Sequence, residues 1–311
     1  MSVLICGSIA YDHIMVFPDQ FKNHILPDKV HILNVSFLVP EMRKEFGGCA
    51  GNIAYNLNLL DKSQALPMAT VGKDFHSYKC WMDKHKINQK HIKIIQDSFT
   101  AQAFITTDMD DNQITAFHPG AMNYSQENNI RDAEKTVLGI ISPDGRDGML
   151  SHAQQFADAN IPFVFDPGQG IPMFSGEEIN DFIEKATWVT VNDYEWQMIK
   201  DKTSLTEKEI TERVEALIVT YGGNGSKFFT KEKTIEIPAV SPKSITDPTG
   251  CGDAYRAGLL FGLIKDIDLE TSGRIATMMG SKKVSSHGTQ NHLFTLDEFK
   301  SHFKSEFGYE F

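Results

Sequence analysis

Cysteine is scarce in this chain of 311 residues, which contains only Cys6, Cys49, Cys80 and Cys251. The sequence has no CxxC pair and no group of cysteine and histidine at the spacing of a zinc site. A disulfide scaffold and a structural zinc site are therefore excluded. A reduced, cytoplasmic protein is the simplest interpretation.

Long hydrophobic runs are missing as well, since no segment approaches the roughly 18 apolar residues of a membrane-spanning helix. The first twelve residues have no basic stretch before their apolar run, so we expect a β-strand there and not a signal peptide. Lys and Arg number 30 against 41 Asp and Glu, which gives a net charge of −11. This charge argues against nucleic acid or an anionic membrane as a partner.

Short apolar segments alternate with segments of helical periodicity along the chain. Strands are predicted within residues 3–9, 66–71, 161–165, 188–191 and 217–220, and helices over residues 50–60 and about 251–264. This alternation predicts an α/β fold with a mostly parallel sheet covered by helices on both faces. In such a fold, ligands bind at the carboxyl ends of the strands.

Two stretches interrupt the alternation and predict a small accessory sheet. Residues 12–45 contain β-prone pieces such as residues 30–39. Residues 98–118 predict a hairpin, with strands at 101–107 and 113–117 around an Asp/Asn turn. Because no linker, repeat or low-complexity tract divides the chain, we expect a single domain over residues 1–311 that includes these strands.

A glycine-rich turn precedes the predicted helix at residue 251. Backbone amides at a helix start are unpaired and partly positive, so Gly250 and Gly252 let them form an anion cradle suited to a phosphate. Asp253 falls in the first turn of this helix, beside the expected anion. The spacing alone leaves a second interpretation open, in which Asp253 only favours the helix dipole and the glycines only make a turn.

The sequence resembles the ribokinase (PfkB) family of carbohydrate and nucleoside kinases in five motifs that occur in the family's order. They are Gly7-Ser8-Ile9-Ala10-Tyr11-Asp12, Gly47-Gly48-Cys49-Ala50-Gly51-Asn52, Asn192-Asp193-Tyr194-Glu195, Thr220-Tyr221-Gly222-Gly223-Asn224-Gly225 and Asp247-Pro248-Thr249-Gly250-Cys251-Gly252-Asp253-Ala254-Tyr255-Arg256-Ala257-Gly258. The resemblance implies a ribokinase-like three-layer α/β/α fold with a small β-sheet lid. It also implies an ATP-dependent phosphotransferase with an alcohol group as acceptor.

The resemblance further implies which residues carry out the transfer. Asp253 is expected to take the proton of the attacking hydroxyl, while the amides of Gly250, Cys251 and Gly252 hold the charge of the transferred group. Residues expected near ATP are Asn192, Thr220, Gly222, Gly225 and Thr249. Asn192 and Glu195 are expected to place Mg²⁺ through water, and Asp247 belongs to a loop that supports K⁺ in some members.

Within the family, the chain is most similar to bacterial adenosine or nucleoside kinases, through residues 35–40, 113–121 and 166–170. Asp12 and Asn52 are then candidates for holding ribose hydroxyls, and Gly47 and Gly48 for letting the backbone approach the ligand. Phe37 and Phe117 are candidates for stacking on the base. Each position also has a plain structural interpretation, as a turn, a helix start or core packing of the lid.

The hairpin carries Asp111-Asn112-Gln113 where many sugar kinases of the family have a basic residue, so no cation is present there for a substrate phosphate. We therefore expect phosphorylation of the 5′-hydroxyl of a purine nucleoside, adenosine first, in purine salvage. A homodimer is compatible with the sequence. A sugar kinase (fructokinase or ribokinase) and a non-catalytic nucleotide sensor remain alternatives. A dinucleotide-dependent oxidoreductase is excluded because the first βα turn lacks GxGxxG.

Overall fold

The structure is a computed structural model that describes residues 2–25, 31–32, 34–62, 64–110 and 112–311. Its strands in chain order are β1 (Ser2–Cys6), β2 (Ala10–Val16), β3 (Glu41–Gly47), β4 (Ala65–Gly72), β5 (His91–Ile95), β6 (Ala101–Thr107), β7 (Gln113–His118), β8 (Thr136–Ile141), β9 (Phe163–Phe165), β10 (Trp188–Asn192), β11 (Ala216–Thr220), β12 (Ser226–Phe229) and β13 (Thr234–Ile237). Its α-helices are α1 (Cys49–Leu60), α2 (His76–Lys84), α3 (Arg146–Asp158), α4 (Gly176–Lys185), α5 (Asp193–Thr203), α6 (Glu207–Thr211), α7 (Cys251–Ile264), α8 (Leu269–Val284) and α9 (Leu296–Phe307).

Within the described residues, the large sheet has nine strands in the order β13-β12-β11-β10-β9-β8-β1-β4-β5. The pairs from β5 to β11 are parallel, and β12 and β13 join antiparallel at one edge. The alternation of strands and helices in the sequence therefore gives the mostly parallel sheet that it predicts. No helix in the part of the chain that the structure describes combines the length and hydropathy needed to cross a membrane.

Two hydrophobic cores flank the large sheet, one on each face. Along β1, Val3 and Ile5 belong to the core under α1, α7 and α8, while Leu4 and Cys6 belong to the core under α3, α4 and α5. Successive side chains of a strand point to opposite faces, so a strand that is apolar throughout is buried between two helical layers. The three-layer α/β/α architecture is thus confirmed.

A second, smaller sheet has the order β3-β2-β6-β7 in the described residues, and we call it the small sheet. Its β6–β7 hairpin agrees with the prediction for residues 98–118. The prediction of a strand at residues 30–39 is wrong, because residues 31–32 and 34–39 form no strand and the remainder lies outside the described residues. The strand of this region that pairs with β2 is instead β3. Because β3 is largely exposed and rich in charged residues, it lacks the alternation of apolar and polar residues by which a strand is predicted.

Helices α7 and α8 pack closely enough that glycine is required between them. A Cβ on Gly258 of α7 would lie 2.7 Å from the Cα atom of Ala276 and 3.0 Å from its amide nitrogen, both on the backbone of α8. Backbone atoms of a packed helix cannot move aside as a flexible side chain can. The α7–α8 contact therefore fixes the position of α7, whose first turn carries Asp253.

We expect Gly258→Ala to lower the free energy of unfolding by about 1–3 kcal/mol, the usual cost of overpacking a core. The matched control is Gly280→Ala in α8, where a Cβ would meet nothing closer than 3.7 Å. Alanine at that helical position should instead stabilise the protein by up to about 1 kcal/mol. Urea unfolding followed by circular dichroism measures both variants, and equal stability of the two would contradict close packing at Gly258.

Candidate active site

The predicted anion cradle is formed at the start of α7. Gly250 is the N-cap residue of this helix and has a left-handed backbone with φ of 78°. A Cβ there would also lie 2.9 Å from the side chain of Thr289, so glycine is required both by the turn and by the neighbouring chain. The Cys251 amide donates to the Pro248 carbonyl at 3.1 Å, which closes the turn.

Asp253 lies in the first turn of α7 and is held from α1. The Asn52 side-chain amide donates to an Asp253 carboxylate oxygen at 2.8 Å. Burial raises the pKa of Asp253 to about 7, and the nearby Asp166 raises it further, while Asn52 and Arg256 oppose the shift. The raised pKa makes the Asp253 carboxylate a stronger base than an ordinary aspartate, which suits proton transfer.

Asn52 is in turn oriented by a buried network. The Gln290 amide donates to Asn52 Oδ1 at 2.9 Å and to the Tyr78 hydroxyl oxygen at 2.6 Å. The Trp81 indole N–H donates to Gln290 Oε1 at 2.9 Å, which leaves the Gln290 amide nitrogen facing Asn52. Because Asn52 then accepts through its oxygen, its own amide nitrogen is directed at Asp253. Gln290 belongs to none of the five motifs, so no sequence pattern indicated it.

Arg256 brings a buried positive charge to the same place. Its Nη2 lies 2.9 Å from a carboxylate oxygen of Asp166 and 3.9 Å from one of Glu195, and the Arg256 and Asp166 side chains are about 5% exposed. A Cβ on Gly252 would lie 3.3 Å from Arg256 Nη1, so the guanidinium sits directly beside the cradle.

Arg256 and Asp166 were not among the predicted site residues, although both stand in segments that resemble the family. Arg256 follows Asp253 by three residues on a helix, which places the two on one face. Asp166 directly follows β9, at the carboxyl end of a central parallel strand. The helical spacing of Arg256 and the strand-end position of Asp166 are the features of the sequence that could have predicted them as site residues.

Asn192 and Glu195 form a capping box at the start of α5. The Glu195 amide donates to the Asn192 side-chain oxygen, and the Asn192 amide donates to the Glu195 carboxylate, both at 2.7 Å. Burial raises the pKa of Glu195 and Arg256 opposes this. Among the described residues, no group of three or more His, Cys, Asp or Glu side chains could hold a metal ion by itself. The donors therefore fit an ion such as Mg²⁺ only as water-mediated contacts beside nucleotide phosphates.

Most of the predicted transfer and nucleotide residues line two neighbouring cavities. The first, of about 440 Å³, is lined by Asp253, Gly250, Gly252, Asn192 and Glu195 among others. The second, of about 360 Å³, is lined by Thr220, Gly222, Gly225 and Cys251, with apolar walls from Ala239, Val240, Pro242, Ile245 and Val284. Thr220, Gly222, Gly252 and Arg256 line both, so a polar chamber opens beside an apolar one.

Asp12 lies on β2 of the small sheet and packs against Gly47. A Cβ on Gly47 would collide with the Asp12 carboxylate. Burial raises the pKa of Asp12 to about 6, with further increases from Glu45 and Asp247. Gly48 has φ of 85° as the N-cap of α1, and a Cβ there would lie 2.6 Å from the Ala10 amide nitrogen. The glycine pair therefore lets the start of α1 touch β2.

Phe117 shares a face of the small sheet with Asp12. Asp12 pairs with Ala103 of β6, and Ala103 pairs with Phe117 of β7. Side chains at paired positions of neighbouring strands lie on the same face. The Phe117 side chain is 51% exposed, so its ring is free to contact a ligand over this face.

Phe37 lies in an aromatic cluster next to the end of β2. Its ring centroid is 4.8 Å from that of Phe17 and 5.0 Å from that of Phe21. In the β6–β7 turn, the Asn112 amide donates to Asp108, and Asp111 lies outside the described residues. The described turn residues 108–110, 112 and 113 include no basic side chain.

The loop predicted to serve K⁺ is filled by a side chain of the protein. The Asp247 carboxylate accepts from the amides of Thr249 and Gly288, both at 2.9 Å. The Asp247 carbonyl oxygen accepts from the Lys283 ammonium at 2.7 Å. A monovalent cation at this carbonyl would meet an ammonium group already in place, so the residues present do not fit K⁺.

The comparison with known proteins identifies the family. The family model described as pfkB family carbohydrate kinase matches residues 9–295. The chain belongs to this family. It is accordingly a phosphotransferase that acts on a hydroxyl group, on a ribokinase-like fold.

The similar proteins of this family include several nucleoside kinases. A nucleoside kinase of Methanocaldococcus jannaschii is 34% identical, over 85% of this chain and 87% of that protein. The structure of a Burkholderia thailandensis nucleoside kinase in complex with inosine has a TM-score of 0.91 at 47% identity, covering 99% of both chains. A second structure of that kinase, in complex with ADP-inosine, has a TM-score of 0.88 at 49% identity.

We expect the Asp253 carboxyl to titrate near pH 7, and Arg256→Met to move its pKa upward because the variant removes a cation that lowers it. ¹³C NMR of aspartate-labelled protein measures the titration, and Asp253→Asn assigns the signal. Arg213→Met, which removes a guanidinium paired with the exposed Glu184, is the control and should leave the pKa unchanged. Since Arg256→Met leaves Asp166 buried without its partner, Arg256→Gln, which removes the charge but keeps a hydrogen-bond donor, serves if the first variant unfolds. An Asp253 pKa near 4 would contradict this description of the site.

Proposed function

We propose that this pfkB-family kinase transfers the γ-phosphoryl group of ATP to the 5′-hydroxyl of a purine nucleoside. The observation that carries the proposal is the Asp253 carboxylate, held by Asn52 at the cradle where the polar chamber begins. ATP is the proposed donor because the apolar chamber suits an adenine ring and the glycine-lined junction suits the phosphates.

In the proposed reaction, the 5′-oxygen attacks the γ-phosphorus and Asp253 accepts the hydroxyl proton. A bond forms between the 5′-oxygen and phosphorus, the bond from phosphorus to the β-phosphate oxygen breaks, and ADP leaves. Because phosphoryl transfer is loose, catalysis rests mainly on positioning and charge stabilisation. The amides of Gly250, Cys251 and Gly252 supply that stabilisation, and burial raises the pKa of the Cys251 thiol to about 11, so the thiol stays neutral.

Magnesium fits the proposal as an ion shared between the nucleotide and the protein. The polar chamber is lined by four carboxylate side chains, on Asp166, Asp193, Glu195 and Asp253, against the single guanidinium of Arg256. Excess negative charge of this kind favours a divalent cation that keeps water and phosphate ligands. Bound there through Asn192 and Glu195, Mg²⁺ would neutralise phosphate charge.

The purine nucleoside is proposed from the small sheet and from the similar proteins. Asp12 above its pKa of about 6 can accept hydrogen bonds from two ribose hydroxyls, and Phe117 on the same face offers a ring for the base. The inosine complex of the Burkholderia kinase supports a purine as the base. Adenosine and inosine are both proposed substrates, in purine salvage in the cytoplasm, with residues 1–311 acting as one unit and the small sheet as its lid.

A sugar kinase of the same family is the second candidate, because Asp12 and Asn52 would also hold the hydroxyls of ribose or fructose. A phosphosugar is disfavoured by the described turn residues, which include no cation for its phosphate. A nucleoside and a free sugar differ in the base, so the proposed base-binding side chains, Phe37 and Phe117, are the ones that distinguish the two candidates.

We expect Asp253→Asn to lower kcat by about 10²-fold or more while ATP still binds, because an amide cannot accept the proton. Radiolabelled transfer to adenosine measures kcat, and equilibrium binding of ATP measures the second quantity. Asp201→Asn, an exposed aspartate on α5, is the control. A loss of less than about tenfold would remove Asp253 from the role of base.

We expect wild-type protein to phosphorylate adenosine and inosine faster than ribose or fructose. Phe117→Ala should lower kcat/KM for the nucleosides about 5- to 150-fold, which corresponds to the loss of one base–aromatic stacking interaction. Ribose turnover should change little. Phe104→Ala is the matched control, since Phe104 is 40% exposed on the opposite face of the same sheet and stacks on His13. The assay is coupled detection of ADP.

Phe37→Ala in the same assay separates its two interpretations. A loss confined to nucleosides supports stacking on the base, whereas an equal loss for ribose assigns Phe37 to packing with Phe17 and Phe21. A wild-type preference for fructose or ribose over both nucleosides would replace this proposal with the sugar kinase. No turnover of any acceptor would favour the nucleotide sensor.

A further inference from the structure

Lys283 is a buried lysine in the last turn of α8. Its relative exposure is 0%, and its ammonium group donates to the carbonyl oxygen of Asp247 at 2.7 Å and to that of Ser286 at 3.3 Å. The Asp247 carboxylate adds negative charge to these surroundings. A fully buried ammonium is costly unless oxygen atoms replace its water, so this arrangement is a built site for one positive charge.

The ammonium of Lys283 ties together the two loops that border the anion cradle. Residues 246 and 247 donate their amides to the Val284 carbonyl at 2.8 and 3.1 Å. The Asp247 carboxylate bridges back to the Gly288 amide on the other loop. One loop leads directly into Gly250, while the other continues to Thr289, which packs on Gly250.

The second loop also reaches the proposed base. After Thr289 comes Gln290, whose amide orients Asn52, and Asn52 holds Asp253. A change in the position of residues 284–288 would therefore displace both the cradle and the carboxylate. The positive charge at Lys283 holds a carbonyl oxygen from each loop at a single point.

Backbone carbonyls next to a carboxylate are the ligands that K⁺ takes in proteins. The family resemblance implies that some members bind K⁺ at this loop. In this protein, the Lys283 ammonium already contacts the Asp247 and Ser286 carbonyls. We propose that Lys283 is a positioning residue that serves as a tethered cation in place of K⁺. Phosphoryl transfer by this kinase is then independent of monovalent cations.

The proposal rests on the proposed function only for the substrate used in the assay, and thermal unfolding provides a readout that needs no substrate. Wild type is assayed with adenosine and ATP in KCl and in choline chloride at one ionic strength of about 0.15 M. We expect equal kcat/KM in the two salts, within about twofold, since the Lys283 ammonium already occupies the carbonyls that K⁺ would contact.

Two substitutions test the tethered charge. Lys283→Ala leaves room for an ion. In choline chloride, we expect its kcat to fall by about tenfold or more, which is a smaller loss than removal of a group that contacts the transferred phosphoryl directly would cause. K⁺, Rb⁺ or NH₄⁺ should restore part of this activity, and K⁺ should raise the melting temperature of this variant and not that of wild type. Lys283→Met fills the space without charge and should lose activity that no cation restores. Lys282→Met, one residue earlier and outside this site, is the control.

Several results would overturn the proposal. Activation of wild type by K⁺ beyond about fivefold would mean that a separate ion is needed in addition to Lys283. Full activity of Lys283→Ala in choline chloride would mean that the charge positions nothing. A folded Lys283→Ala protein that neither K⁺, Rb⁺ nor NH₄⁺ restores would assign Lys283 to packing alone. If both variants fail to fold, the wild-type comparison of salts decides. Absence of any turnover with adenosine in wild type would instead count against the proposed function, and the melting temperatures would still test Lys283.

Discussion

The hydrogen bond from Asn52 to Asp253 is the contact on which the site depends, because it joins the starts of two helices from distant parts of the chain. It forms only if α1 and α7 both begin at this point. Gly48 and Gly250 allow the two tight turns, and the Gln290 network fixes which end of Asn52 faces the carboxylate. Since these groups are buried, each unmade hydrogen bond would cost about 1–3 kcal/mol, so the polar cluster has a single favoured arrangement.

An acidic chain can still provide an anion site because its few buried cations are placed next to it. Arg256 lies beside the cradle, where it offsets the carboxylates of Asp166 and Glu195. Lys283 lies behind the preceding turn, where it gathers carbonyl oxygens. Both side chains are buried, so both charges act on their surroundings at low effective dielectric and are poorly screened by salt. Net charge alone therefore says little about what the site binds.

The small sheet separates two kinds of surface through the alternation of its strands. One face carries Asp12 and Phe117, and the other carries His13 and Phe104. Membership of the pfkB family establishes phosphoryl transfer to a hydroxyl group, but the family includes acceptors as different as sugars and nucleosides. We propose that this face, and not the shared cradle, selects the acceptor.

The sequence by itself determined the α/β fold, the strands β1, β4, β6, β7, β9, β10 and β11, the glycine turns and the position of Asp253 at a helix start. These are local features, because hydrophobic periodicity and turn chemistry act over a few residues. The sequence did not reveal β3, whose exposed charged residues carry no apolar pattern, nor the contacts of Gln290, Arg256 and Lys283. Their partners Asn52, Asp166 and Asp247 lie 36 to 238 residues away along the chain, so only the packing of the helices against the sheet could bring them together.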